Sequence, residues 1–240
     1  MAKILVGIPT YDNRLDARQA LFLYAARREN LTVDVKSRQL SLLAWGFNML
    51  WADALNNKTY DYFLLLHADI VPHAPVGWLS KLLAEAENAR ADLLGAVIPI
   101  KNKTGLTSTA LQAADHEPRR VTMREALTLP QTFNAEDVAR VFGWQERAGL
   151  QLLANTGCML MDLRKKRAAW EQMYFRIQDA MPCVNGKFVP TCIPEDWDFS
   201  MQAARLGLRV AVTRAVSIIH SGHADYENQS AWGEIEHETD

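Results

Sequence analysis

Apolar and polar residues recur along this chain with two different periods, and those periods sort it into strands and helices. Ile4 to Ile8 is a short apolar run closed by Pro9-Thr10, the pattern of a buried first strand. A charged, alanine-rich stretch from Leu15 to Glu29 predicts a helix. Leu31 to Val35 then alternates with period two, as a strand with one wetter face does. Ser41 stands where it can cap a second helix, in which Leu40, Ala44, Phe47, Trp51 and Ala54 form one apolar stripe. Tyr60 to Leu66 is a third, strongly apolar strand, stopped by His67-Ala68-Asp69 with Pro72 and Pro75 beyond. Val76, Leu79, Leu82, Leu83 and Ala86 mark the inward face of a third helix, and Asp92 to Ile100 a fourth strand. Strand, helix, strand in this order calls for parallel crossovers in an α/β sheet.

The second half is less regular. Lys101 to Arg120 carries Gly, Thr, Ser and clustered charge, and is expected as a long loop; Asn134 to Phe142 is expected as a short helix. Order returns at Gln151 to Met161, where Asn155-Thr156-Gly157-Cys158 signals a close backbone approach in a sheet. Leu163 to Met181 reads as helix and Cys183 to Ile193 as loop with a short strand. A helix starting at Pro194-Glu195-Asp196 buries Phe199, Ala203 and Leu206 and is stopped by Gly207, a natural C-cap glycine. Leu208 to Thr213 and Ala215 to Ile219 are strand-like and lead to His220-Ser221-Gly222-His223. There is neither an internal repeat nor a linker, so one domain is expected.

Composition narrows the class. The 240 residues are 49% apolar and 22% charged, which is globular and not disordered. No apolar run approaches the roughly 20 residues that cross a bilayer, and the apolar start is too short for a signal peptide. A cytoplasmic protein without stable membrane insertion is the expectation. Cys158, Cys183 and Cys192 follow no zinc or disulfide spacing and are expected as free thiols. The net charge of -2 is uneven, because residues 225 to 240 hold six acids and no Lys or Arg. The body before them has 22 acids against 26 Lys and Arg. That mild positive excess suits a phosphate-bearing substrate and is too small for a nucleic-acid-binding face.

In an open parallel sheet, ligands gather beyond the C-terminal ends of the strands. Those ends are Thr10-Tyr11-Asp12, His67-Ala68-Asp69 and Pro99-Ile100-Lys101, with His220 and His223 near the end of the chain. A buried strand delivers the Asp69 carboxylate to the sheet edge, where it can hold a hard divalent cation whose shell is completed by diphosphate oxygens. A turn or cap aspartate is the plainer reading. His67, on the same side of the extended chain, either meets nucleotide or metal or bonds within the core. Glu195 and Asp196 open a helix, where the dipole alone favours carboxylates. The same dipole lowers their pKa, so a base role requires burial or a bound acceptor to raise it. The His220 and His223 pair can offer an imidazole to manganese, which accepts mixed nitrogen and oxygen ligands.

Taken in order, these segments resemble the GT-A glycosyltransferases, in particular the large family-2-like group. Gly7-Ile8-Pro9-Thr10-Tyr11 is similar to their first strand and nucleotide-holding loop, and Tyr62 to Asp69 to the strand ending in their Asp-x-Asp motif, with His67 in place of the first aspartate. Asn155 to Leu160 resembles their glycine-containing strand beside the acceptor, and Glu195-Asp196-Trp197-Asp198-Phe199 the segment bearing the catalytic base. The resemblance spans residues 4 to 223. It implies an α/β, GT-A-like single domain, with a central mostly parallel (mixed) sheet flanked by helices. A nucleotide-binding half of about 1–100, an acceptor-side half of about 101–224 and an acidic, solvated tail 225–240 follow from it.

It also implies transfer of a sugar from a nucleoside diphosphate sugar, UDP-sugar favoured, to a hydroxyl acceptor, with inversion. Mn2+ or Mg2+ would sit at Asp69 with His220 or His223, and Asp196, neighboured by Glu195, would act as base. Pro9, Thr10, Tyr11, Asp12, Arg38, Asn48, His67 and Ala68 would line the nucleotide site, with Asp69 among them. Gly157 and Trp197 would face the acceptor, and an Arg or Lys of the 101–124 region would add positive charge. The acceptor, whether a saccharide, a lipid-linked glycan, a protein or a modified nucleic-acid base, is not written in these motifs. Two other readings stay open. One is a catalytically degenerate nucleotide- or glycan-binding relative, which the missing first aspartate allows. The other is a nucleotidylyltransferase, although the first loop lacks the expected glycines.

Overall fold

The computed structural model describes residues 1–240 except 13, 28, 115, 146–148, 223 and 235–240, with the side chain of His116 also outside the described set. His223 therefore lies outside the described residues.

The first half follows its hydrophobic pattern closely. β1 (Lys3–Thr10), α1 (Ala17–Ala26), β2 (Thr32–Gln39), α2 (Leu43–Asn56) and β3 (Tyr62–Leu66) form two successive crossovers. A short β4 (Ile70–Pro72), α3 (Trp78–Asn88) and β5 (Leu93–Ala96) come next. Leu40 of the expected stripe lies before α2, and the fourth strand is shorter than Asp92 to Ile100. Two further details differ. Ser41 does not cap α2, whose N-cap is Leu42 without a side-chain bond. Val76 precedes α3 and is 77% exposed, because the helix begins only after the left-handed Gly77.

The largest departure lies in the segment read as a loop. Leu106–Ala113 (β6) and His116–Thr122 (β7) form an antiparallel hairpin, followed by α4 (Met123–Thr128), β8 (Thr132–Phe133) and α5 (Ala135–Val141). Thr122 and Asn134 supply capping boxes to the two helices. β9 (Gln151–Leu153) pairs with β6, so the hairpin becomes a second small sheet. β10 (Cys158–Asp162) enters the central sheet. The helix expected over Leu163 to Met181 shrinks to α6 (Arg167–Trp170). The chain then runs through β11 (Gln178–Ala180), β12 (Cys183–Val184), β13 (Lys187–Phe188) and β14 (Thr191–Ile193). Its apolar residues are recruited by tertiary contacts instead: Met173 and Phe175 are buried, and Trp51 Nε1 donates to the Met173 carbonyl at 2.9 Å.

α7 (Glu195–Arg205) forms as its sequence predicts, with Phe199 and Ala203 buried and Gly207 left-handed at its end. β15 (Val210–Thr213), β16 (Ile218–Ser221) and β17 (Asp225–Glu227) complete the chain. The acidic end is tied down at its start. β17 pairs with β16, Asp225 receives Arg18, and Asn228 is fully buried, bonding the backbone of Val97, Val216 and Ile218.

The central sheet has seven strands in the order β2-β1-β3-β10-β5-β15-β8. β2, β1 and β3 are parallel to one another, as are β5 and β15, while β10 runs antiparallel between β3 and β5 and β8 antiparallel to β15. This is an α/β single domain with a mixed, largely parallel sheet flanked by helices. Successive residues of β3 point to opposite faces. Tyr62, Leu64 and Leu66 pack with α1 and α3, and Phe63 and Leu65 with α2 and α7. The antiparallel β10 matters for chemistry, because it brings its own N-terminal end, Asn155 to Cys158, to the edge where β1, β3 and β5 have their C-terminal ends.

Candidate functional site

At that edge two polar centres lie side by side. The first surrounds Asp69. The turn after β3 is fixed by backbone bonds: His67 N–H donates to the Gly157 carbonyl at 2.9 Å, and Ser221 N–H to the Asp69 carbonyl at 2.8 Å. Buried Gln19 donates to the carbonyls of His67 and Ile70. The Asp69 carboxylate, still partly open to solvent, is met by the Lys101 ammonium at Oδ2 and by His220 Nε2 at 3.6 Å. Burial works against its ionisation, but the His220 ring and the Lys101 ammonium at Oδ2 outweigh it and hold the carboxyl well below the usual range. Desolvation pulls His67 down to about 4, so its ring is neutral at physiological pH. That ring leans on Phe47, with centroids 5.2 Å apart.

His220 was expected beyond a strand end. It lies instead within β16, opposite Ile70 of β4. Its Nδ1 is 2.7 Å from the Pro99 carbonyl. A carbonyl only accepts, so Nδ1 carries a proton and Nε2 is the ring atom that faces Asp69; in a ring held this way, Nε2 freed of its own proton is the atom that would ligate metal. Two further atoms are buried without a partner, Asp69 Oδ1 and His67 Nε2. Asp69 and His220 thus offer one oxygen and one nitrogen ligand beside two unpartnered buried atoms, a partial set that would suit a divalent cation only with further ligands such as diphosphate oxygens. Among the described residues no group of three or more His, Cys, Asp or Glu converges as a complete metal site.

The second centre is built on the first turn of α7. Asp196 is 7% exposed, its Oδ1 accepting from Trp197 N–H and its Oδ2 from Asn155 Nδ2, each at 2.8 Å. Burial, reinforced by the charge of Glu195, pushes its carboxyl up to about 7, against the bonds from Trp197 and Asn155 and the charge of Arg120. Burial also raises Glu195. The helix dipole, expected to acidify these carboxylates, is thus outweighed by desolvation. Ser200 Oγ accepts from Ala154 N–H at 3.0 Å, stitching α7 to the turn before β10. The aromatic stack below, Phe175 on Phe199 at 4.1 Å with Trp51 edge-on, fixes the far side of the helix.

The two centres share one turn. Asn155 Oδ1 accepts from Gly157 N–H at 2.7 Å while its Nδ2 holds Asp196, and the Gly157 carbonyl receives His67. A side chain at Gly157 would put its Cβ 2.7 Å from Asn155 Oδ1 and 3.3 Å from Ile70. A side chain here would push the Asn155 amide away from the bonds that link the two centres.

Other expected residues are placed differently. Thr10 is buried and donates to the Arg38 carbonyl at 3.4 Å, while Pro9 lies inside β1 beside it. Tyr11 is exposed and Asp12 is paired with Arg14. Arg38 Nη2 bonds Asp53 at 2.8 Å. Both amide atoms of Asn48 are engaged by the Phe175 backbone, at 2.7 and 2.8 Å. The Trp197 indole donates to the Ser108 carbonyl at 3.0 Å and packs under the β6–β7 hairpin. Ala68 sits in the turn between His67 and Asp69, partly buried. Arg120, from β7, stacks 4.5 Å from the Trp197 ring centre, and sequence reading found it only as one of several cations between 101 and 124.

No family model matches the chain, and no curated protein matches it. Among solved structures, A197 from STIV is 14% identical, covers 99% of this chain and 100% of its own, and superposes with a TM-score of 0.53. The structure of S. aureus TarS 1–349 is 13% identical over 96% of this chain and 59% of that one, with a TM-score of 0.45. The same segment in complex with UDP-GlcNAc gives 14% identity over 96% and 61%, and a TM-score of 0.41. At this identity the A197 likeness is one of fold alone, and the TarS superpositions are looser still. The α/β domain with its mixed, largely parallel sheet is consistent with a GT-A-like arrangement, and no helix among the described residues is long and apolar enough to cross a membrane.

Proposed function

We propose that this protein transfers a glycosyl group from a nucleoside diphosphate sugar, with a uridine nucleotide the first donor to try, to an acceptor hydroxyl, with inversion. The observation that carries the reading is the hydrogen-bonded path Asp196–Asn155–Gly157–His67, which ties the Asp196 carboxylate on α7 and the turn bearing Asp69 to the same tight turn before β10. Such a reaction needs both: a base for the acceptor proton and positive charge for the leaving diphosphate.

Asp196 suits the first task. A carboxyl near 7 is half-ionised at neutral pH and basic enough to take a hydroxyl proton as that oxygen becomes nucleophilic. The acceptor oxygen forms its bond to the anomeric carbon, the bond from that carbon to the phosphate oxygen breaks, the proton passes to Asp196 and the nucleoside diphosphate departs. Asn155 keeps the accepting oxygen in place, and Arg120 adds positive charge beside it. Asp69 and His220 would hold the divalent cation, which when bound supplies neutralisation of the diphosphate charge.

The test is release of nucleoside diphosphate from a panel of UDP- and GDP-sugars, with a glycan array as acceptor. D196N is expected to keep nucleotide affinity and lose transfer by roughly 100-fold or more. Undiminished transfer by D196N would remove Asp196 from the chemistry.

A further inference from the structure

The Lys101 ammonium rests on Asp69 Oδ2, the same oxygen that faces His220 Nε2. On the reading above, we infer that Lys101 both guards this carboxylate and binds the diphosphate. It neutralises Asp69 in the ligand-free protein, yields that oxygen to the arriving cation, and turns its own charge to the phosphates.

Charge counting favours an exchange over a simple substitution of lysine for metal. Asp69 and Lys101 together carry no net charge, so this ion pair at rest offers a diphosphate no net Coulomb attraction. A divalent cation on Asp69 and His220 that releases the ammonium leaves the site with two net positive charges, matched to a diphosphate. A lysine is suited to this, being a compact charge on a flexible stem.

The surroundings anchor the backbone on either side of Lys101 and seat its stem against a glycine. Ile100 N–H donates to the Leu106 carbonyl at 2.9 Å and Asn102 N–H to the Ile100 carbonyl at 2.8 Å, while Pro99 is tied to His220. The stem crosses Gly222, where a Cβ would come 2.9 Å from Lys101 Cδ. The residue opposite the lysine therefore provides the space in which the stem lies. A cavity of about 440 Å³ is bordered by the next two residues, Asn102 and Lys103, with Tyr226 and Trp232.

The experiment measures Mn2+ binding by electron paramagnetic resonance and calorimetry, alone and with inorganic pyrophosphate or UDP, in wild type, K101M and G222A. K101M is expected to bind Mn2+ alone roughly tenfold more tightly, because its competitor is gone, and Mn2+-pyrophosphate roughly tenfold more weakly. G222A keeps the charge but displaces the stem, and is expected to repeat the gain in Mn2+ affinity. Unchanged Mn2+ affinity in K101M, tighter binding of both ligands, or no gain in G222A would each overturn the inference. If pyrophosphate shows the crossed effect while no nucleotide binds, the lysine exchange stands and the nucleotide-sugar reading falls.

Discussion

Replacing Asp196 by Asn should make the protein more stable at pH 8, although it removes the proposed base. An exposed aspartate titrates near 3.9, whereas burial raises Asp196 to about 7 in the folded chain. Between those values the folded state holds a proton that the unfolded state has lost, so stability falls as pH rises and levels off above about 7. A shift of three units at about 1.4 kcal/mol each makes the full loss roughly 4 kcal/mol, of which about 1.5 kcal/mol has accrued by pH 5. D196N escapes this cost. It keeps one oxygen where the carboxylate has two, so either Trp197 N–H or Asn155 Nδ2 loses its acceptor, at about 2 kcal/mol. The balance is a gain of about 2 kcal/mol at pH 8 and almost none at pH 5, or roughly 4–8 °C in Tm at the higher pH for a chain of this size. Thermal and urea unfolding of both proteins at the two pH values measure this. A D196N advantage no larger at pH 8 than at pH 5 would refute the claim that Asp196 is destabilised by burial in its charged form.

Three further outcomes follow from the same geometry. The pH profile of kcat/KM for transfer should rise through about 7, and N155A, which removes a bond that favours the ionised carboxyl, should move that limb to higher pH and lower the plateau. G157A should cost about 2 kcal/mol in urea unfolding, because its Cβ meets Asn155 Oδ1; both nucleotide affinity and transfer should fall with it, since the turn serves both centres. D198N should cost roughly 3 kcal/mol, because Asp198 is wholly buried and binds Arg176, Gln178 and Gln202; an unchanged urea midpoint would contradict that role.

The first hundred residues were legible because each strand and helix there carries its own period. Phe47, Trp51, Leu64 and Leu82 are buried where the spacing puts them. Asp69 and Asp196 could be singled out because a strand end and a helix start are positions with local signatures. The β6–β7 hairpin was missed for a physical reason: Thr107 and Thr109 are fully buried, and Thr107 is satisfied by the Val121 carbonyl, so polar residues sit where a period-two reading expects apolar ones. The 163–181 segment failed in the opposite sense. A helix was expected throughout, but only α6 forms; Trp170 at its end and Phe175 beyond it pack against Trp51 and Phe199, and Met173 between them is buried from irregular backbone. Lys101 at Asp69, Asn155 at Asp196 and His220 at Pro99 are contacts between residues 32, 41 and 121 positions apart, and no local pattern encodes them.

The central claim is that the Asp69 centre holds the diphosphate of a nucleotide. The most direct measurement is calorimetric titration of nucleoside diphosphates into the folded protein and into D69N, each with Mn2+ and with EDTA. The account predicts tight binding of one nucleotide with Mn2+, weakened by EDTA and lost in D69N. Failure of every nucleotide to bind, or binding indifferent to D69N, would contradict it.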